Sequence, residues 1–263
     1  MRLSLTLAAV SLAASIALPL GGASAKEWKE VRIASEGAYP PFNFVDSSNT
    51  LQGFEIDLAH ALCEKIKVTC TIVAQDWDGM IPALLANKYD VIMASMSITD
   101  ERKKTVDFTD KYYQTPASIA VPKDSKLTNV DPASYKGLTV GAQSSTIHSN
   151  YAEEVLAKQG ASIKLYPTQD EANLDLSSGR LDAIVADKVV LVEWLKKDGK
   201  DCCKLVGDID VVKYKNFFGE GVGGAVRKED ADLKAMFNKA IAEVRKDGTY
   251  EKIEKKYFDF TVY

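Results

Sequence analysis

The stretch Val91 to Arg102, VIMASMSITDER, gathers groups that could grip a small carboxylate. Val91 to Ser95 are apolar or small without alternation, as in a strand buried on both faces of a mainly parallel sheet. Thr99 is a suitable N-cap, and Asp100 and Glu101 suit the first turn of a helix that then brings in Arg102. Free backbone N–H groups, serine hydroxyls and a guanidinium would converge just outside the carboxyl end of a strand, where open α/β sheets bind ligands. Taken alone, the stretch fits equally well an Arg102 in a surface ion pair and serines filling a turn. Recurrence tips the balance. Leu84 to Ser95, LLANKYDVIMAS, matches Leu176 to Asp187, LSSGRLDAIVAD, with Leu, Asp, Ile and Ala in register and Lys88 opposite Arg180. Asp187 then stands where Ser95 does, so two similar lobes each deliver a polar side chain at a strand end.

Other residues could complete a pocket. Glu36 and Tyr39 lie in the loop EGAYPP that leaves the strand Val31 to Ser35, although Tyr39 before Pro40-Pro41 would also simply stiffen a turn. Trp77 is either core or pocket wall, and Gln143-Ser144-Ser145-Thr146 is a hydroxyl-rich turn opening a helix from His148 to Lys158. With only two histidines, His60 and His148, a multi-histidine metal site is excluded and histidine-based catalysis has few places to live. No metal or cofactor is expected. Glycines in GEGVGGAVR, Gly219 to Arg227, have no dinucleotide-binding spacing and read as a strand packed closely on its neighbours.

The elements that position these groups are legible around them. Met1 and Arg2 precede an apolar run from Leu3 to Leu20, and Ala23-Ser24-Ala25 is a small-residue cleavage signal, so residues 1–25 read as a secretory signal peptide. No other stretch is apolar for long enough to span a bilayer. Formal net charge is −4, and no basic cluster is interleaved with aromatics, so a nucleic-acid partner is not indicated. Phe54, Leu58, Leu62 and Ile66 mark an amphipathic helix. Cys63 and Cys70 flank its end and the strand VTCTIV; in an exported protein they suit a short-loop disulfide, stabilising by roughly 2 to 3 kcal/mol. Adjacent Cys202 and Cys203 fit ordinary disulfide geometry poorly, and their state stays open.

Taken together, EGAYPPF, GFEIDLAHALC with a second cysteine seven residues on, WDGMIPAL, SMSITDER, GRLDAIVAD and DGTYEKIEKKYF resemble the periplasmic amino-acid-binding proteins of ABC importers (family 3 solute-binding proteins), over essentially the whole chain after residue 25. The lysine/arginine/ornithine- and histidine-binding group is the nearest match. The resemblance implies a two-lobed α/β fold of periplasmic-binding-protein type II, each lobe a mainly parallel sheet flanked by helices. Lobe one would span 26–114 and 211–263 and lobe two 115–210, joined by a two-strand hinge. It implies that Arg102 binds a ligand α-carboxylate, helped by Ser97 and the Ser145-Thr146 turn, and that Asp187 with Ser95 takes the α-ammonium. Met96, between the two serines, joins the ligand-lining set. Glu36 adds a carboxylate that a cationic side chain would satisfy, and Tyr39 and Trp77 could clamp an aliphatic stem or a guanidinium, worth on the order of 1 to 2 kcal/mol. Arginine, ornithine or lysine is therefore the expected ligand, captured by a periplasmic monomer without enzymatic activity and passed to an inner-membrane ABC permease. Ser144 stands where the family commonly has glycine, Ala94 where it often has serine and Ile147 where a glutamine can occur. Those departures leave an opine as an alternative ligand. The same fold also serves dehydratases of ring carboxylates, for which Glu36 or His148 would be the acid/base candidate.

Overall fold

The computed structural model describes residues 27–263, and the signal peptide expected over residues 1–25 lies outside them. The chain opens with β1 (Glu30–Ser35), folds a small antiparallel sheet from β2 (Ala38–Tyr39), β3 (Asn43–Val45) and β4 (Leu51–Gln52), and enters α1 (Phe54–Ile66). There follow β5 (Thr69–Ala74), α2 (Met80–Leu85), β6 (Val91–Ile92), α3 (Asp100–Lys103) and β7 (Asp107–Phe108). The middle of the chain holds β8 (Ala117–Pro122), β9 (Thr139–Gln143), α4 (Ile147–Tyr151), β10 (Ser162–Tyr166), α5 (Gln169–Ser177), β11 (Ala183–Asp187), α6 (Lys188–Lys196), β12 (Cys203–Asp208) and α7 (Lys215–Phe218). β13 (Ala225–Val226), α8 (Ala231–Lys246) and α9 (Thr249–Tyr257) close it. Among the described residues no helix is long and apolar enough to cross a membrane.

Two five-stranded sheets have the same plan, β5-β1-β6-β13-β7 and β10-β9-β11-β8-β12. In each the first three strands are parallel, the fourth runs against them and the fifth runs against the fourth. Each sheet is thus mainly parallel, as the unalternating apolar runs suggest. The odd strand is in each case the one laid down just after the chain crosses between lobes, β8 on the way out and β13 on the way back.

The duplicated segment explains why the two strand ends are equivalent. Asp90 Oδ2 accepts from Arg32 N at 3.0 Å while Asp90 N donates to Arg32 O at 2.8 Å. Asp182 does the same with Thr139, its Oδ2 accepting from Thr139 N at 2.7 Å and its N donating to Thr139 O at 2.9 Å. Each aspartate clips the start of its lobe's middle strand to the start of the neighbouring strand. That fixes register, so Ser95 and Asp187 leave their sheets at corresponding places. The strand expected over Val91 to Ser95 has a ladder only to Ile92. Met93 N still bonds Ala34 O, and Ser95 then turns into the left-handed region at φ 58°.

α1 buries Phe54, Leu58 and Leu62 as their spacing requires, and its end is tied to β5 by the Cys63–Cys70 disulfide, with Cα atoms 6.1 Å apart. Cys202 and Cys203 are bonded to each other. In the second lobe's core, Tyr135, Val140, Tyr151 and Val185 pack with Ile209 and Phe218, and Val211, Tyr214 and Phe217 lie against them. Residues 211–218, expected with lobe one, pack against lobe two through Val211, Tyr214, Phe217 and Phe218, while Val212 is exposed. The return crossing begins at Gly219, whose φ of 68° and approach to the Ile98 carbonyl leave no room for a Cβ.

Asp90 also accepts from Arg227 Nη2 at 3.0 Å, and both side chains are buried. Asp90→Ala is expected to lower unfolding free energy by about 2 to 3 kcal/mol, since it takes one of two carboxylates from buried Arg227, which keeps Asp230 and the Leu84 and Tyr89 carbonyls. Asp182→Ala, at an exposed site with one backbone donor, is expected to cost about 1 kcal/mol. Urea denaturation of the two variants measures the contrast.

Candidate functional site

The lobe-one wall rests on a carboxylate that does not reach the cleft. Glu55, fully buried in the first turn of α1, accepts from Ser95 N at 2.7 Å, Ser95 Oγ at 2.9 Å, Asn43 Nδ2 at 2.7 Å and the Tyr112 hydroxyl. Burial raises its pKa against the pull of those donors. The network holds Ser95 in a conformation that L side chains rarely adopt and presents it to the cleft. Two residues on, the Ser97 carbonyl accepts from Arg102 Nη1 at 3.0 Å. Thr99 caps α3 by accepting from Arg102 N at 3.2 Å, which fixes the root of the arginine, and the guanidinium lies 5.3 Å from the Trp77 ring centre. Burial pushes the Arg102 pKa down to about 10, so it stays charged at neutral pH.

The lobe-two wall comes from the ends of β9 and β11. At the start of α4, Thr146 accepts from Ser149 N at 3.0 Å and donates to the Gln143 carbonyl at 2.7 Å, closing a capping box with Ser149. Asp187, the last residue of β11, accepts from the Thr115 hydroxyl at 2.8 Å and the Tyr39 hydroxyl at 2.8 Å. His148 is buried, with Nε2 3.8 Å from Asp187 Oδ1, beyond hydrogen-bond length.

The lobes meet across this cleft. Besides Tyr39 and Asp187, Arg102 Nη2 and Trp77 Nε1 donate to the Ser145 carbonyl at 3.3 and 3.2 Å, and the Ser144 hydroxyl donates to Asp78 at 3.0 Å. Gln143 Nε2 donates to Glu36 at 2.6 Å and to the Pro167 carbonyl at 3.1 Å. Val189 and Val190 of α6 join the apolar cluster of lobe one. Between the walls lies a cavity with about 300 Å³ of atom-free space, its mouth included. Burial, opposed by the Gln143 bond and aided by Asp170 and Asp76, raises the Glu36 pKa to about 7.

Of the residues singled out in the sequence, Glu36, Tyr39, Trp77, Ser95, Ser97, Arg102, Thr146 and Asp187 line this one cavity. Two do not. Met96 is packed in the lobe-one core in the cluster of Trp77, Met80 and Ile98, where an apolar side chain loses more water contact than it would in a charged cleft. Ser145 is exposed; its left-handed turn, φ 57°, sends its carbonyl rather than its hydroxyl to the cleft. Gln143 and Ile147 also line the cavity. His148, weighed above only as an acid/base group, lines it beside Asp187. Glu55 supports it from behind. An acidic residue in a first helical turn looks like ordinary dipole pairing, so nothing in the sequence set Glu55 apart.

Two lobes of one plan, joined by crossing strands and closing on a charged cleft, define a hinged ligand-capturing protein. The chain belongs to the bacterial extracellular solute-binding proteins, family 3, whose family model matches residues 31–260. It is 46% identical over 237 residues to the L-arginine-binding protein of Pseudomonas aeruginosa, covering 89% of this chain and 90% of that one. The lysine/arginine/ornithine-binding periplasmic protein of Escherichia coli is 42% identical over 236 residues, with 89% of each covered. Among solved structures, an ancestral arginine-binding protein bound to arginine superposes with a TM-score of 0.80 at 38% identity, covering 88% of this chain and 98% of that chain.

Removing the buried support should be felt at the wall. Glu55→Ala strands donors from Ser95, Asn43 and Tyr112 and is expected to cost roughly 3 kcal/mol or more of stability. Chemical denaturation measures that loss, and hydrogen exchange should show the Ser95 amide, otherwise protected, exchanging faster.

Proposed function

We propose that the protein captures a basic amino acid, arginine, ornithine or lysine, between its lobes and delivers it to an inner-membrane ABC permease, working as a monomer in the periplasm after residues 1–25 are removed. The observation that carries the reading is the cleft's charge balance. Two carboxylates, Glu36 and Asp187, face one guanidinium, Arg102, and all three line the same cavity. A zwitterion with a cationic side chain brings two positive groups and one negative, which leaves no buried charge unpaired. In this assignment Arg102 forks onto the α-carboxylate with Ser97 and Thr146 nearby, Asp187 and Ser95 take the α-ammonium, and Glu36 meets the side-chain cation between Tyr39 and Trp77. The names of the arginine- and lysine/arginine/ornithine-binding relatives agree with this class.

Closure follows from where the charges sit. Arg102 and Asp187 belong to different lobes, so a ligand held by both interacts more strongly with the closed state and shifts the population toward it. A permease that distinguishes closed from open would then see only loaded protein.

A second reading has one observation in its favour: a carboxyl poised near pH 7, Glu36, is what a general acid or base on a dehydratase needs. Turnover of a cyclic keto acid would establish it. Against it, Glu36 is engaged by Gln143 and Asp187 by two hydroxyls. A thermal-shift screen of amino acids and opines separates the ligand classes, because a ligand that prefers the folded state raises Tm.

Arg102→Ala is expected to weaken arginine binding about a hundredfold or more, roughly 3 kcal/mol, in calorimetry. A loss below about threefold contradicts the assigned role. The pH dependence has a definite sign. A cation favours ionised Glu36, so binding lowers its pKa from about 7 and releases a proton. Arginine affinity should fall as pH drops below about 7, by up to about tenfold per unit, and level off above. Glu36→Gln should flatten that slope and weaken basic ligands most.

A further inference from the structure

His148 lines the cavity at 4% exposure, and its Nε2 has no hydrogen-bond partner. An unmade bond at a buried imidazole nitrogen is costly, so a group that completes it on ligand entry would add to binding. The nearest charged atom is Asp187 Oδ1 at 3.8 Å. Two acceptors at that separation can share one N–H-bearing cation lying between them at ordinary hydrogen-bond distance. Groups around the imidazole are Asp187 at the end of β11, Arg102 from lobe one and the Phe218 ring of α7, 6.1 Å away. Burial and the Arg102 charge lower the imidazole pKa against the pull of Asp187, and a neutral imidazole has one lone-pair nitrogen, which in the Nδ1–H tautomer is Nε2.

Resting on the amino-acid reading above, we propose that His148 is a specificity-determining residue whose neutral Nε2 accepts a hydrogen bond from the ligand's α-ammonium, alongside Asp187. An ammonium has three donors and a hydroxyl has one. With acceptors from Asp187, His148 and the Ser95 hydroxyl, the site discriminates a primary α-ammonium from a 2-hydroxy acid of the same shape.

The test compares arginine with its 2-hydroxy analogue on the full-length mature chain by calorimetry. His148→Leu is expected to weaken arginine about tenfold while changing the 2-hydroxy analogue less than threefold, so the preference for the amine shrinks. His148→Gln, which places an amide oxygen near the position of Nε2, should recover most of the preference. Thermal melts of the ligand-free variants show whether folding is kept. The ¹⁵N spectrum of histidine-labelled wild type with arginine should show Nε2 without an attached proton. A proton on Nε2 in the complex, or an unchanged preference in a folded His148→Leu, overturns the assignment. If only neutral amino acids bind wild type, the basic-ligand reading fails, and the same comparison with glutamine and its 2-hydroxy analogue still decides the role of His148, because every α-amino acid carries the same ammonium.

Discussion

Opposite charges that face one another across the cleft do not pair in this protein. Arg102 on lobe one reaches over to a neutral carbonyl, that of Ser145, and Asp187 on lobe two is held by neutral hydroxyls, from Tyr39 and Thr115. A direct ion pair between the jaws would satisfy both charges and compete with any ligand. Neutral partners satisfy them partly, keep them in place, and leave both with unmet demand that a zwitterion can fill. The rest of the structure serves this separation. Thr99 roots Arg102, the aspartate clips at Asp90 and Asp182 set the height of Ser95 and Asp187, and Glu55 bends the chain that carries Ser95.

The same separation makes polar contacts at the cleft double as contacts between lobes. Glu36 with Gln143, Asp78 with Ser144 and Trp77 with the Ser145 carbonyl all bridge the jaws. They range from the exposed Ser144–Asp78 contact to the part-buried Gln143–Glu36 bond, each worth about 1 to 3 kcal/mol, so the closed state leans on several separate links rather than on one. That is the balance a capture device needs: links strong enough to orient the walls, yet weak enough for ligand contacts to tip the equilibrium.

Much of this could be read from residues alone, and the misses have physical causes. The duplicated Leu–Asp–Ile–Ala pattern revealed two lobes because strand register demands the same aspartate in both, and it led to Ser95 and Asp187 directly. Arg102 was visible through its cap. Glu36, Tyr39 and Trp77 stand out as possible pocket residues in their own loops, and the family likeness of the motifs adds their role toward a cationic side chain. Glu55 and Gln143 escaped because their roles arise only when distant segments meet; nothing in FEID or TVGAQ distinguishes them from an exposed helix acid and a strand-end amide. The directions of Met96 and Ser145 are illegible for a related reason: adjacency to cleft residues says nothing about which way a side chain turns once the backbone leaves a regular strand. The apolar faces of so short a segment as 211–218 carry no label for the sheet that covers them, and the contacts of Val211, Tyr214, Phe217 and Phe218 fall on lobe two.

The reversed strands have one more consequence. β8 and β13 are each hydrogen-bonded on both sides within their sheets, so neither can twist without breaking a ladder. Rotation of the jaws is confined to the short connectors that lead into them, and two such connectors side by side act as a door on two pins. Two connectors held side by side, with Val222 N donating to the Tyr113 carbonyl at 2.9 Å, resist twist of one jaw about the other more than a single strand would, which favours opening along one arc.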